Sequence, residues 1–154
     1  MHEQGVAHRD IKPENVLVND HNEVKLIDFN ISKMTLGSAS NSDDASGKFK
    51  STFYTQVSSP LYAAPELKNS CGYSESVDIW GLGIIMFTLV MGTLKSHRLN
   101  SILCCSERVQ MIHDTINTQF DLVDEAKTLL LSILSEKAED RPSAEECLNS
   151  LWLR

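Results

Sequence analysis

The run His8-Arg9-Asp10-Ile11-Lys12-Pro13-Glu14-Asn15 constrains this sequence more than any other feature. An aspartate two residues before a lysine and five before an asparagine suits one short loop equipped for phosphoryl transfer. The Asp10 carboxylate can accept a proton from an attacking hydroxyl. The Lys12 ammonium can neutralise charge on a phosphoryl group in flight. The Asn15 amide carbonyl is a neutral oxygen ligand of the kind Mg²⁺ accepts.

The rest of the composition narrows the partners. The 154 residues are 42% hydrophobic and 23% charged, which suits one globular domain with a core. A net charge of −7, with no Lys/Arg block, argues against a nucleic-acid surface or an anionic membrane. Cys71, Cys104, Cys105 and Cys147 show no Cys-x-x-Cys spacing and no His ladder, so free thiols are expected rather than a zinc site. The start, Met1 to Gly5, lacks the basic and apolar regions of a signal peptide. The longest apolar stretch, from Ile79 to Met91, is interrupted by Thr88 and is too short to span a bilayer. A cytoplasmic or nuclear protein is expected.

Val16-Leu17-Val18 and Val24-Lys25-Leu26-Ile27 read as two strands of a hairpin, separated by the turn chemistry of Asn19 to Asn22. Residues 35 to 52 are Ser/Thr/Gly/Asp-rich and read as a mobile loop. Pro65-Glu66-Leu67 opens a short helix. The apolar stretch up to about Met91 reads as a helix buried on all sides, capped by Ser74 or Ser76 and ended by Gly92. Helices are also expected from Ser106 to about Asn117 and from Leu122 to about Leu134. Ser143 and Glu146 form a capping box that opens a last helix to about Leu151. The expected fold is mainly α with a small β-hairpin.

Further motifs follow the octet in a telling order. Asp28-Phe29-Asn30 closes the second strand, Ala64-Pro65-Glu66 follows the polar loop, Asp78-Ile79-Trp80-Gly81 opens the buried helix, and Arg141-Pro142 lies near the end. With the octet, this set resembles the protein kinase family over essentially the whole chain. The resemblance implies the C-terminal lobe of the kinase fold across 1–154, with an activation segment at 28–66. It implies that Asp10 is the catalytic base, that Lys12 assists the phosphoryl group, and that Asn15 and Asp28 hold Mg²⁺ and thereby ATP. His8 and Phe29 are expected to support the loop. Asp78 is expected to hydrogen-bond the backbone of the catalytic loop, and Arg141 to form a buried ion pair with Glu66. Asn30 stands where the family has glycine; asparagine tolerates left-handed backbone angles, so the Mg²⁺ ligand beside it is expected to survive.

Lys12, two residues after Asp10, resembles the Ser/Thr class, which implies protein substrates bearing Ser or Thr hydroxyls. The stretch Val57-Ser58-Ser59-Pro60-Leu61-Tyr62-Ala63 resembles the segment of Ser/Thr kinases in which a hydroxyl residue contacts the catalytic Asp and Lys; that position here is Ser59. Arg9, directly before Asp10, is expected to grip an activation-loop phosphate, with Thr55 as the phosphosite, Thr52 the runner-up, and an upstream activating kinase as a partner. The tail from Leu148 to Leu153 weakly resembles the calcium/calmodulin-dependent kinase group.

In the family, a Gly-rich strand pair, a strand lysine and a helix glutamate precede the catalytic loop. The sequence has no counterpart of these, so the N-terminal lobe is expected to be absent and the chain alone to show trace activity at most. A non-catalytic kinase remnant that binds a partner is the alternative. Met1 to Gly5 resembles the end of a long helix that would cover Trp80, Ile84 and Phe87. At ~1.5–3 kcal/mol per buried side chain, four or five such contacts supply ~6–15 kcal/mol, comparable to the whole stability of a domain. The chain alone is therefore expected to fold poorly or to expose an apolar patch.

Overall fold

A computed structural model describes residues 1–34, 60–68, 74–92, 101–104, 106–118 and 121–154. The polar stretch from 35 to 52, with Thr52, Thr55 and Ser59, lies outside the described residues. The chain opens with a 3₁₀ turn at His2–Gln4, ended by Gly5 in the left-handed region (φ 65). A short strand follows, β1 (Val6–Ala7), and then a second 3₁₀ turn at Pro13–Asn15. The expected hairpin forms from β2 (Val16–Val18) and β3 (Val24–Leu26), paired antiparallel with Val16 opposite Leu26 and Val18 opposite Val24. A second small sheet, which the sequence reading lacked, pairs β1 with β4 (Lys33–Met34) in register Val6 to Met34.

The helices begin with α1 (Ser76–Val90) and continue with α2 (Arg108–Thr118), α3 (Asp124–Ile133) and α4 (Ala144–Leu148). Residues 101–104 are also helical, and 3₁₀ turns lie at Pro65–Lys68 and Ala138–Asp140. The capping box at α4 is complete: the Glu146 backbone N–H donates to Ser143 Oγ at 3.2 Å, and the Ser143 N–H donates to the Glu146 carboxylate at 2.7 Å. The last helix nevertheless stops at Leu148 rather than Leu151, and turns carry the chain to its end.

The start of α1 corrects another expectation. Its cap is Glu75, with no side-chain capping bond. Ser74, one position further out, has its Oγ 2.8 Å from the Ser76 hydroxyl and accepts from the Ser76 backbone N–H at a long 3.4 Å.

Helix α1 is the hub of the core because its sequence is apolar all round. Trp80, Ile84 and Phe87 are fully buried and join Ile112 and Ile116 of α2 with Leu130 and Ile133 of α3 in one cluster. This overturns the expectation that a helix before the octet must cover Trp80, Ile84 and Phe87, because the chain's own helices and their neighbours do so. The less covered side of α1 carries Leu82 and Leu89, exposed to 39% and 75%. A uniformly apolar helix has no periodicity to reveal which face meets which neighbour. No helix among the described residues is long and apolar enough to cross a membrane.

Two glycines let α1 approach its neighbours. A Cβ at Gly81 would lie 2.8 Å from the Ile11 carbonyl oxygen and 2.9 Å from Ile11 Cβ; one at Gly83 would collide with Ile133 and Leu134. Gly81 thus sets α1 directly against the backbone of the octet. Gly81→Ala gains up to about 1 kcal/mol in helix propensity but forces that backbone aside, at about 1–3 kcal/mol. A net destabilisation of up to about 2 kcal/mol is expected, read as a lower urea midpoint.

The capping hydrogen bonds from Ser143 hold the Glu146 carboxyl below its ordinary pKa. Its contribution is therefore fully present above the unfolded-state pKa and lost as pH falls through the lowered folded-state value. Glu146→Gln keeps hydrogen-bonding atoms but removes the titration. The stability gap between wild type and variant should narrow between neutral pH and about pH 3, as thermal melts would register.

Candidate active site

The octet is held from beneath by one buried carboxylate. Asp78, in the first turn of α1, accepts hydrogen bonds from the backbone N–H of His8 at 2.7 Å and of Arg9 at 2.6 Å, and from His2 Nε2 at 2.9 Å. It is only 4% exposed, so these donors replace its lost hydration. The N-terminal end of the helix dipole favours a negative charge there. Arg9 meets the carboxylate with φ at 73, a backbone angle uncommon for a side chain of its size.

His8 is completely buried and links the octet to the segment after β3. Its Nε2 lies 2.8 Å from the Ile27 carbonyl, which can only accept, so Nε2 carries the hydrogen. Its Nδ1 then accepts from the Asp10 backbone N–H at 3.3 Å. Both bonds fit the neutral Nε2–H imidazole, an assignment made from the partners. Ser32 Oγ donates to the His8 carbonyl at 3.2 Å, and the Phe29 ring meets the imidazole edge-on at a centroid distance of 4.6 Å.

Above this base, Asp10, Lys12 and Asn15 converge. Lys12 Nζ lies 2.6 Å from Asp10 Oδ2, and Asn15 Nδ2 donates to the same oxygen at 3.0 Å and to the Asp10 carbonyl at 2.8 Å. With Nδ2 committed to Asp10, Oδ1 is the atom Asn15 can offer a cation. The Ile27 N–H donates to the Asn15 carbonyl at 3.0 Å, which brings the end of β3, and Asp28 after it, beside Asn15. Asp28 is exposed and left-handed (φ 63), and the Asn30 N–H reaches its carboxylate at 3.5 Å. No group of three or more His, Cys, Asp or Glu side chains able to hold a metal occurs among the described residues. The amide oxygen of Asn15 and the carboxylate of Asp28 are hard oxygen donors of the type Mg²⁺ accepts.

A second buried cluster flanks the octet. Arg141 forks onto Glu66, Nη1 to Oε1 at 2.7 Å and Nη2 to Oε2 at 2.8 Å. It also donates to the carbonyls of Ser135, Ser76 and Glu136. Its guanidinium carbon lies 5.0 Å from the Trp80 ring centroid. Arg108 shares that ring at 5.4 Å and donates to the carbonyls of Pro60, at 3.0 Å, and Ala63. Burial pushes the Arg108 guanidinium down from its ordinary pKa, and nearby Glu66 opposes that shift. The sequence reading gave Arg108 no part. The available signal was its spacing: it stands four residues before Ile112 and eight before Ile116, on the buried stripe of α2.

The structure thus brings His8, Asp10, Lys12 and Asn15 together with Asp78 below and Asp28 at the edge, and joins Glu66 to Arg141 nearby. Asp78→Ala would leave the buried N–H groups of His8 and Arg9 without their acceptor. At about 1–3 kcal/mol for each orphaned donor, a loss of roughly 2–6 kcal/mol is expected. Urea unfolding measures the total, and faster amide exchange at His8 and Arg9 localises it.

Comparison with known proteins agrees with this geometry. A family model described as protein kinase domain matches residues 1–153. A calcium/calmodulin-dependent protein kinase of Emericella nidulans is 34% identical over 161 residues, covering 100% of this chain and 36% of that protein. A hormonally up-regulated neu tumor-associated kinase of Mus musculus is 34% identical over 159 residues, covering 99% of this chain and 20% of that protein. Its homolog A in Xenopus laevis is 34% identical over 155 residues, 99% of this chain and 21% of the frog protein. The chain therefore spans between a fifth and roughly a third of these relatives. With the octet, the buried aspartate beneath it and the match along nearly its whole length, the chain belongs to the protein kinase family.

Proposed function

We propose that this chain is the C-terminal lobe of a protein serine/threonine kinase, which transfers the ATP γ-phosphoryl group to Ser or Thr hydroxyls of proteins. The observation that carries the reading is the Asp10 carboxylate, gripped by Lys12 Nζ at 2.6 Å and Asn15 Nδ2 at 3.0 Å. A carboxylate so fixed can orient an incoming hydroxyl and take its proton. Lys12, already beside Asp10, is placed to meet negative charge on the transferring group. Asn15 Oδ1 and the Asp28 carboxylate would hold Mg²⁺, whose chemistry when bound is to neutralise the phosphate oxygens of ATP. His8 keeps the loop's shape through its two ring nitrogens rather than by touching substrate.

The Ser/Thr preference rests on Lys12, two residues after Asp10. Ser59 would help align the hydroxyl, and Thr55, or else Thr52, would carry an activating phosphate for Arg9 to bind. Phosphotransfer to a mixed Ser/Thr/Tyr peptide library by the full-length protein tests the whole reading. Asp10→Asn should lower the rate by about 10²–10⁴-fold, with the product label on Ser and Thr. Equal rates for wild type and variant, or label on Tyr alone, would refute it.

A further inference from the structure

We infer that Arg108 is a positioning residue that fixes the wall opposite Asp10 against which a protein substrate's acceptor segment lies. The inference rests on the kinase reading above and deepens it.

Residues Arg9, Asp10, Ile11, Tyr62, Ala63 and Ala64 line one small cleft. One side of that cleft is the octet, which Asp78 and Gly81 anchor to α1. The other side is the 62–64 segment, which belongs to no helix or strand and so has no backbone ladder of its own. Ala64 anchors it in the core, with Leu61 and Tyr62 packed against that core. Arg108 fixes its backbone by donating from Nη1 to the Pro60 carbonyl and from Nη2 to the Ala63 carbonyl. Ala63 itself lines the cleft, so the hydrogen bond acts on the wall directly.

The guanidinium can do this because it is locked. Arg108 is only 5% exposed, and its head lies over the Trp80 ring that Arg141 also shares. Glu66, two residues after the wall, is forked onto Arg141 and lies near enough to favour the charge on Arg108. The wall is therefore pinned at 60 and 63 by Arg108 and at 66 by Arg141. Tyr62, between the pins, lines the cleft together with Arg9, Asp10 and Ile11, so the wall faces the loop. Two carbonyls held by one planar fork require arginine; an ammonium offers a point charge without that geometry.

The consequence is specific to the acceptor side. Among the described residues, no hydrogen bond joins Arg108 or the 60–64 wall to Asn15 or Asp28, so loosening the wall should weaken binding of the peptide and leave the nucleotide alone. The test uses the full-length protein as Arg108→Lys, which keeps a cation near Trp80, and as Arg108→Met, which removes the donors. The expected result for Arg108→Lys is a peptide KM raised about tenfold, an ATP KM within about twofold of wild type, and faster amide exchange in residues 61–64. Arg108→Met should shift both readouts further in the same direction. Unchanged exchange in 61–64, or faster exchange without a rise in peptide KM, would overturn the inference. So would parallel changes in both KM values. If wild type is no more active than Asp10→Asn, it is the kinase reading that fails, and the exchange comparison still decides whether Arg108 holds the wall.

Discussion

Everything near the octet depends on one carboxylate in a place where a carboxylate is expensive. Asp78 is buried at the start of an apolar helix, and burial of an unpaired charge there would cost more than the domain can spare. It is tolerated because two backbone amides of the octet and one imidazole point at it. The dependence runs both ways. The amides at His8 and Arg9 would be orphaned without Asp78, and Arg9 holds a left-handed angle that needs outside support. The loop and the helix therefore fold as one unit, and Gly81, one turn further on, lets their backbones touch.

Trp80 extends the same logic sideways. Two residues after Asp78, its ring carries the guanidiniums of Arg108 and Arg141, one from α2 and one from the residue that ends the 3₁₀ turn before α4. Both arginines spend their donors on carbonyl groups that belong to no regular ladder: Pro60 and Ala63 for one, Ser135 and Glu136 among those of the other. Buried arginine here does the job that hydrogen-bonded secondary structure does elsewhere, satisfying irregular backbone in the interior. A single helix turn, 78 to 81, thus organises the octet on one side and the 60–66 segment on the other.

What the sequence reveals follows from how local each interaction is. Lys12 and Asn15 lie within five positions of Asp10, so their convergence could be read from spacing alone. The α3 helix announced itself by Leu129, Leu130 and Ile133 at helical spacing, and Ser143 with Glu146 marked the start of α4. The β1–β4 pairing escaped because two residues cannot show an alternating pattern, and the whole hairpin lies between Val6 and Met34 in the sequence. Ser74 looked like a helix cap because its type favours one, but the cap falls on Glu75, and Ser74 Oγ turns to the hydroxyl of Ser76. The cover over Trp80 was misassigned because a helix apolar on every side carries no directional signal. Arg108 was invisible for the opposite reason: its partners lie more than forty positions away.

The left-handed angle at Asp28 has a mechanical meaning. The octet is bolted to the core by Asp78, whereas the strand end that carries Asp28 is tied down by only a few bonds, among them Ile27 N–H to Asn15 and His8 to the Ile27 carbonyl. Its own side chain and those of Phe29 and Asn30 are exposed. Regions with few buried contacts open at far lower free energy than the core does. Asn15, buried and hydrogen-bonded to Asp10, thus sits on rigid ground, and Asp28 on a compliant arm. Under the kinase reading proposed above, Mg²⁺ would be held from supports of unequal stiffness, one fixed with the loop and one free to adjust to the ion.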